Sequence, residues 1–250
     1  MERWRDRVAV VTGASSGIGA AILTDLAKAG VIVVGLSRHP DRIRSFDLTP
    51  EAQSRVHPVQ CDVTVEEAVK DTFKWVEDNL GGTDILVNCA GVFYQGRLID
   101  EHLTPQIKET FDVEIMGTLF CTREAFQSMQ RRNFDGHVVN INSVDGHHVV
   151  NLLQFDTNFC TNYAAAKFAL TAMTEVYRQE FANAGTKVKI SSVSPGLTNT
   201  TIGDHFISMV DMPVLNPADV SNAVLYCLGT PPHVQANNQA TNIENLEWRA

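Results

Sequence analysis

The chain has 250 residues, 44% of them hydrophobic and 20% charged, with a formal net charge of −9 and an isoelectric point near 5.3. That is enough chain for one large α/β domain with a substantial core, and the acidic balance gives no electrostatic footprint for nucleic acid or an anionic membrane. Five widely spaced cysteines (Cys61, Cys89, Cys121, Cys160 and Cys227) form no C-x-x-C and fit reduced thiols in a cytoplasmic protein better than a disulfide framework or a zinc site.

The charged N-terminus, Met1 to Arg7, lacks the apolar stretch of a signal peptide and leads into a β-branched run. Strands are predicted at Val8–Thr12, Val31–Leu36, Val56–Gln60, Ile85–Asn88, His137–Ile141 and Val188–Val193, with a short last one near Ala240–Asn245. They are almost wholly apolar rather than alternating, as parallel strands covered on both faces should be. Helices are predicted at Gly17–Ala29, Val65–Asn79, Pro105–Met129 and Asn162–Asn183. Thr64-Val65-Glu66-Glu67 is a candidate capping box, and Thr104-Pro105 and Asn216-Pro217 each set a capping residue before a first-turn proline.

Strands alternating with helices imply a single Rossmann-type, doubly wound parallel sheet of about seven strands, with helices on both faces, spanning residues 1–250. No apolar run is long enough to insert in a bilayer. Asn199-Thr200-Thr201 matches a glycosylation acceptor but reads as chance without a secretory signal. The least regular stretch, 197–215, mixes Ile202, Phe206, Ile207, Met209, Val210 and Met212 with polar residues. It is either a substrate lid beyond the carboxyl ends of the strands or an ordinary surface helix.

The first predicted strand runs into Gly13-Ala14-Ser15-Ser16-Gly17-Ile18-Gly19 and then a helix. Glycines let the backbone approach a pyrophosphate, and the helix N-terminus favours its charge. The second strand closes on Ser37-Arg38, where a carboxylate would be expected if a ribose 2′-hydroxyl were read. A guanidinium suits a 2′-phosphate, so the expected cofactor is NADP(H); the plainer reading of Arg38 is a solvated loop charge. After the third strand, Asp62-Val63 puts a carboxylate where it can take an adenine amino group or cap the next helix.

Downstream, Tyr163 and Lys167 stand four residues apart and share one helix face. Free tyrosine has a pKa of about 10, too high for work near neutrality, and a fixed ammonium lowers it. With Ser143 twenty residues upstream, the set suits acid–base chemistry at a carbonyl oxygen.

Thr12 to Gly19, Asn88-Cys89-Ala90-Gly91, Ser143, Tyr163/Lys167 and Pro195-Gly196 form an ordered set that resembles the short-chain dehydrogenase/reductase family over essentially the whole chain. The run from Gly136 to His147 looks like a narrower branch, which includes insect NADP-dependent farnesol dehydrogenases and vertebrate member 11 of the dehydrogenase/reductase family.

The resemblance implies that Tyr163 is the acid/base, that Lys167 lowers its pKa and holds the nicotinamide ribose, and that Ser143 binds the substrate oxygen. It implies that Asn88, Ala90 and Gly91 lie beside the adenosine ribose, with Pro195, Gly196 and Thr200 on the carboxamide side. It further implies an apolar small-molecule substrate, farnesol-like isoprenoid alcohols before ketosteroids and small carbonyls, no metal, and a homodimer or homotetramer. Pairing would run through the two long helices, at Phe111, Leu119, Phe120, Phe168, Leu170 and Met173; the alternative is that these positions are ordinary core.

Three departures stand out. Cys89 replaces an asparagine. The spacing from Ser143 to Tyr163 is several residues longer than usual, with the excess around Asn151–Thr161. Glu114 stands where the family has a catalytic asparagine. A carboxylate there either pairs with Lys167 and impairs the enzyme, leaving an NADP(H)-binding sensor or scaffold, or is tolerated and ends the proton chain.

Overall fold

The computed structural model describes residues 1–149, 161–203, 207, 213–234, 236 and 239–241. Strands β1 (Val8–Thr12), β2 (Ile32–Ser37), β3 (Val56–Gln60), β4 (Ile85–Asn88), β5 (His137–Ile141), β6 (Lys189–Pro195) and β7 (Gln239–Thr241) form one seven-stranded parallel sheet. Its order is β3-β2-β1-β4-β5-β6-β7. The winding reverses between β1 and β4, and an open α/β sheet binds ligands in the crevice at the carboxyl ends of such a pair. Every residue of β1, β4 and β5 is buried, which is why these runs carry no polar alternation.

Helices α1 (Gly17–Lys28), α2 (Pro40–Arg44), α3 (Pro50–Gln53), α4 (Glu66–Leu80), α5 (Thr104–Phe111), α6 (Thr118–Arg131), α7 (Thr161–Asn183) and α8 (Pro217–Gly229) connect the strands. On one face, Ile22, Leu23 and Leu26 of α1 meet Val220, Val224 and Leu228 of α8. On the other, Val69, Phe73 and Val76 of α4 join Cys121, Ala125 and Met129 of α6 and Phe181 of α7. Each such side chain contributes about 1.5–3 kcal/mol when fully buried. The two clusters clamp the sheet and leave its carboxyl edge for chemistry.

Several sequence expectations change. The long helix expected over Pro105–Met129 runs without interruption from Thr104 to Arg131, but it contains a π-helical turn, Asp112–Gly117, between α5 and α6. A π turn takes one more residue per loop, and the apolar period hardly registers which carbonyl each N–H meets. Here it turns Glu114 inward, leaving it buried beside Val113.

Thr64 makes no capping box. Its hydroxyl and its N–H both donate to Asp62 Oδ1, at 2.7 and 3.0 Å, and α4 starts later, at Glu66. A local side-chain turn has won over the helix cap. Thr104 is the first residue of α5 rather than its cap. At α8 the expectation holds: Asn216 caps Pro217, and its N–H donates to Asp219 Oδ2 at 2.7 Å. Leu170, placed by the sequence on a pairing face, is core.

The extra chain expected around 151–161 lies outside the described residues up to the start of α7. Of the segment 197–215, the described parts are 197–203, 207 and 213–215; of the strand expected at 240–245, residues 240 and 241 fall in β7. The two ends of the 197–215 segment are tied together, Asn199 N–H to Leu215 O at 2.8 Å and Leu215 N–H to Leu197 O at 2.9 Å.

Candidate active site

The glycine loop is shaped by contact. Gly13 has φ +65°, and a Cβ there would lie 2.8 Å from the Ala90 Cα. Gly17 has φ +53° and faces Thr200, while a Cβ on Gly19 would sit 2.3 Å from the Gly13 carbonyl oxygen. The Thr12 hydroxyl accepts from the N–H groups of Cys89 and Ala90, both at 2.9 Å, and so pins the loop after β4 to the end of β1. Ser15 and Ile18 are half-buried in the turn. Ser16 caps α1 by position, yet its side chain makes no capping bond, and the first turn of α1 holds no acidic residue. Unclaimed N–H groups and the helix dipole then favour an anion, so the cradle fits a dinucleotide diphosphate.

At the end of β2, Ser37 is buried and its hydroxyl accepts from the His39 N–H at 2.9 Å. Arg38 is 57% exposed, 3.9 Å from Glu109 Oε1 on α5. Glu109 also accepts from the Tyr94 hydroxyl at 2.6 Å. Arg38, Arg42 and Arg44 line an open depression of about 460 Å³ together with His39, Asp41 and Gln60.

Asp62 Oδ1 accepts from the hydroxyl and N–H of Thr64 in the turn before α4. Val63 packs on Gly117. Asn88 directs its amide nitrogen into the fold, to Thr122 Oγ1 at 3.0 Å and Asn140 Oδ1 at 2.9 Å. Gly91 abuts the Glu114 carboxylate. Pro195 ends β6, and the Gly196 carbonyl accepts from Thr198 Oγ1 at 2.9 Å.

Ser143, Tyr163 and Lys167 come together just beyond the end of β5. The Ser143 hydroxyl is hydrogen-bonded to Tyr163 and accepts from the Asp145 N–H at 3.1 Å. Lys167 Nζ lies 5.3 Å from the centre of the Tyr163 ring and donates to the Ile141 carbonyl at 3.0 Å. It also donates to Glu114 Oε2 at 2.8 Å, in an ion pair whose side chains are 5% and 2% exposed. The second oxygen, Glu114 Oε1, is buried with no hydrogen-bond partner among the described residues. The Phe93 ring meets Tyr163 edge-on at 5.5 Å.

These contacts set the protonation states. Burial pushes the Tyr163 phenol up to about 12; Lys167 and the Ser143 hydrogen bond pull it back, while Glu114 and Asp145 push it further. Burial works to lower Lys167, but the Glu114 and Tyr163 charges reverse this and hold it above the ordinary lysine value. The Cys89 thiol is pushed up to about 12, mainly by burial, and stays a thiol. Burial raises the Asp145 carboxyl to about 6, despite the Lys167 charge.

Asp145 belongs to the site and was missed in the sequence, although an acid two residues after Ser143 was a readable signal. The Tyr94–Glu109–Arg38 chain had no such signal, because it depends on how α5 sits against β2.

The residues from 7 to 210 match the family model described as short chain dehydrogenase. The chain is 48% identical over 239 residues to farnesol dehydrogenase of Aedes aegypti, covering 95% of this chain and 96% of that one. It is 39% identical over 250 residues to human dehydrogenase/reductase SDR family member 11, covering 94% and 93%. Its fold is that of a short-chain type dehydrogenase/reductase from Mycobacterium marinum, with a TM-score of 0.83 at 22% identity over 95% and 94% of the two chains. The closed form of serine dehydrogenase complexed with NADP+ gives 0.82 at 24% identity over 97% and 99%. With the glycine cradle, the Tyr163–Lys167 helix and the matched sequence all agreeing along the same sheet, this chain belongs to the short-chain dehydrogenase family.

Proposed function

We propose that this oxidoreductase is an NADP-dependent alcohol dehydrogenase/carbonyl reductase acting on an apolar substrate, a farnesol-like isoprenoid alcohol before a ketosteroid or a small carbonyl. The observation that carries the reading is the contact of Ser143 with Tyr163, one turn from Lys167, on the same sheet edge as the glycine cradle. The relative at 48% identity that bears the name farnesol dehydrogenase supports the substrate class.

When bound, the nicotinamide supplies or accepts the hydride. The residues of the chain do the rest. Gly13 to Gly19 and the α1 N-terminus hold the diphosphate, with Ser37, Asp62, Val63, Asn88, Ala90 and Gly91 along the adenosine side. Arg38 takes the 2′-phosphate, which outbids the weakly held Glu109 carboxylate for the guanidinium. Pro195, Gly196 and Thr200 border the carboxamide side. The Ser143 hydroxyl, whose lone pair is already engaged by the Asp145 N–H, donates to the substrate oxygen and stabilises negative charge building there. Tyr163 gives or takes the proton at that oxygen. The segment 197–215 is read as a substrate lid, a reading supported by its described ends, where Leu197 and Asn199 bond to Leu215.

Met116, Phe168 and Val176, exposed on the π turn and α7, support a homo-oligomer paired through these helices. The buried thiols Cys61, Cys121 and Cys227 support a reducing, cytoplasmic setting.

The test follows reduced-nicotinamide absorbance with NADP or NAD and a panel of apolar alcohols, then with NADPH and the matching carbonyls. NADP-dependent turnover of isoprenoid alcohols above steroids supports the reading. The Lys167–Glu114 pair favours a second one, an NADP(H)-binding sensor; tight NADPH binding with no turnover across the panel selects it.

A further inference from the structure

The Lys167–Glu114 pair has a consequence for the acid–base residue beside it. An ammonium tunes a neighbouring phenol only through the charge it presents, and an opposite charge in hydrogen-bond contact cancels most of that field a few ångströms away. The pair is sealed: Glu114 Oε2 holds Nζ at 2.8 Å, and no water-exposed surface screens either group. Glu114 reaches this position because the π turn between α5 and α6 turns it inward, and the bare backbone of Gly91 leaves room for its second oxygen. We infer that Glu114 is a positioning residue that, by holding Lys167 in this pair, withholds the ammonium charge from Tyr163 and keeps Tyr163 a proton donor through neutral and mildly alkaline pH. The inference rests on the oxidoreductase reading above.

Among the described residues, the other groups facing Tyr163 do not compensate. Lys167 is one turn away on its own helix; Asp145, on the turn after β5, adds a second negative charge; Ser143 offers one hydrogen bond; Phe93, after β4, is apolar; Cys89 stays a neutral thiol. Alcohol oxidation needs Tyr163 Oη without its proton, and carbonyl reduction needs it with the proton. In oxidation kcat/KM should therefore climb about tenfold per pH unit through neutrality with no plateau, while in reduction it stays level over the same range.

The experiment is carbon NMR of protein carrying ring-labelled tyrosine, without cofactor, titrated with pH. Tyr163→Phe identifies the signal among the four tyrosines. Glu114→Gln and Glu114→Asn are compared with the unaltered protein, and the kcat/KM profiles for oxidation are recorded alongside. The expected result is a Tyr163 transition at least about one pH unit lower in both variants, with the break of the oxidation profile moving by the same amount. A Tyr163 signal that titrates at the same pH in all three proteins overturns the inference, whatever the variants do to rate. If the unaltered protein turns over no alcohol or carbonyl, the proposed function fails, while the NMR titration still decides the role of Glu114.

Discussion

The glycine cradle and the Tyr163 cluster lie along the same sheet edge, yet one is fixed by space and the other by charge. In the cradle, Gly13 and Gly19 are dictated by backbone contacts that any Cβ would violate and Gly17 by its positive φ, and the side chain of the capping Ser16 leaves the first N–H groups of α1 unclaimed. In the cluster, Glu114 and Lys167 are buried with Asp145 and Tyr163 half-buried beside them, and burial and neighbouring charge together shift the protonation of Tyr163, Lys167 and Asp145. A sterically defined site fails abruptly when one atom is added. An electrostatically defined site shifts by degrees when one charge is removed.

The largest expected effect strikes the cluster. Tyr163→Phe should lower kcat by about 10²–10⁴-fold, the usual share of a positioned acid–base group, while NADPH affinity measured by calorimetry stays close to that of the unaltered protein. If affinity fell as far as kcat, the two regions would not be separable.

Next comes the cradle. Gly13→Ala sets a Cβ against the Ala90 backbone at a left-handed φ, a strain of about 1–3 kcal/mol. NADPH binding should be lost and Tm should fall by several degrees, with tyrosine titration behaviour preserved. An alanine variant that binds NADPH normally would break the claim that space rules this end.

Arg38→Asp probes the charged contact expected at the 2′-phosphate. Charged hydrogen bonds are worth about 1.5–3 kcal/mol, so the NADP-over-NAD preference should drop by about ten- to a hundredfold in competing kcat/KM measurements. An unchanged ratio leaves Arg38 as a solvated loop charge.

The smallest effect is on stability. The folded Asp145 carboxyl, raised by burial to about 6, sits above its unfolded value of about 3.9. The folded state thus binds the extra proton between those values, and stability is lost as pH rises through that window. Asp145→Asn removes the loss. Its Tm should exceed that of the unaltered protein by a few degrees at pH near 7.5, with the gap closing towards pH 4. A gap independent of pH would mean that Asp145 is not buried in its charged form.

The ease of reading the sequence follows the same division. Val8–Thr12, Ile85–Asn88 and His137–Ile141 are strands at the bounds their apolar runs indicate, because central parallel strands bury both faces; the edge strand Val56–Gln60 also keeps its bounds, though it is only half-buried. The spacing of Gly13, Gly17 and Gly19, and of Tyr163 and Lys167, is local geometry and could be read residue by residue. The π turn after Phe111 could not, since the apolar period runs through Asp112–Gly117 undisturbed. Nor could the loss of the Thr64 cap, because Asp62 offers both groups of Thr64 a nearer partner.

The sequence by itself determined the doubly wound sheet, the glycine turn into the first helix and the presence of a tyrosine–lysine pair, since all three rest on periodicity and short-range spacing. Only the tertiary structure decided that Glu114 holds Lys167, that Asp145 is drawn into the same pocket and that Glu109 faces Arg38. Those outcomes depend on which way a helix turn faces and how much water reaches a carboxylate, and both are set by packing between elements far apart in the chain.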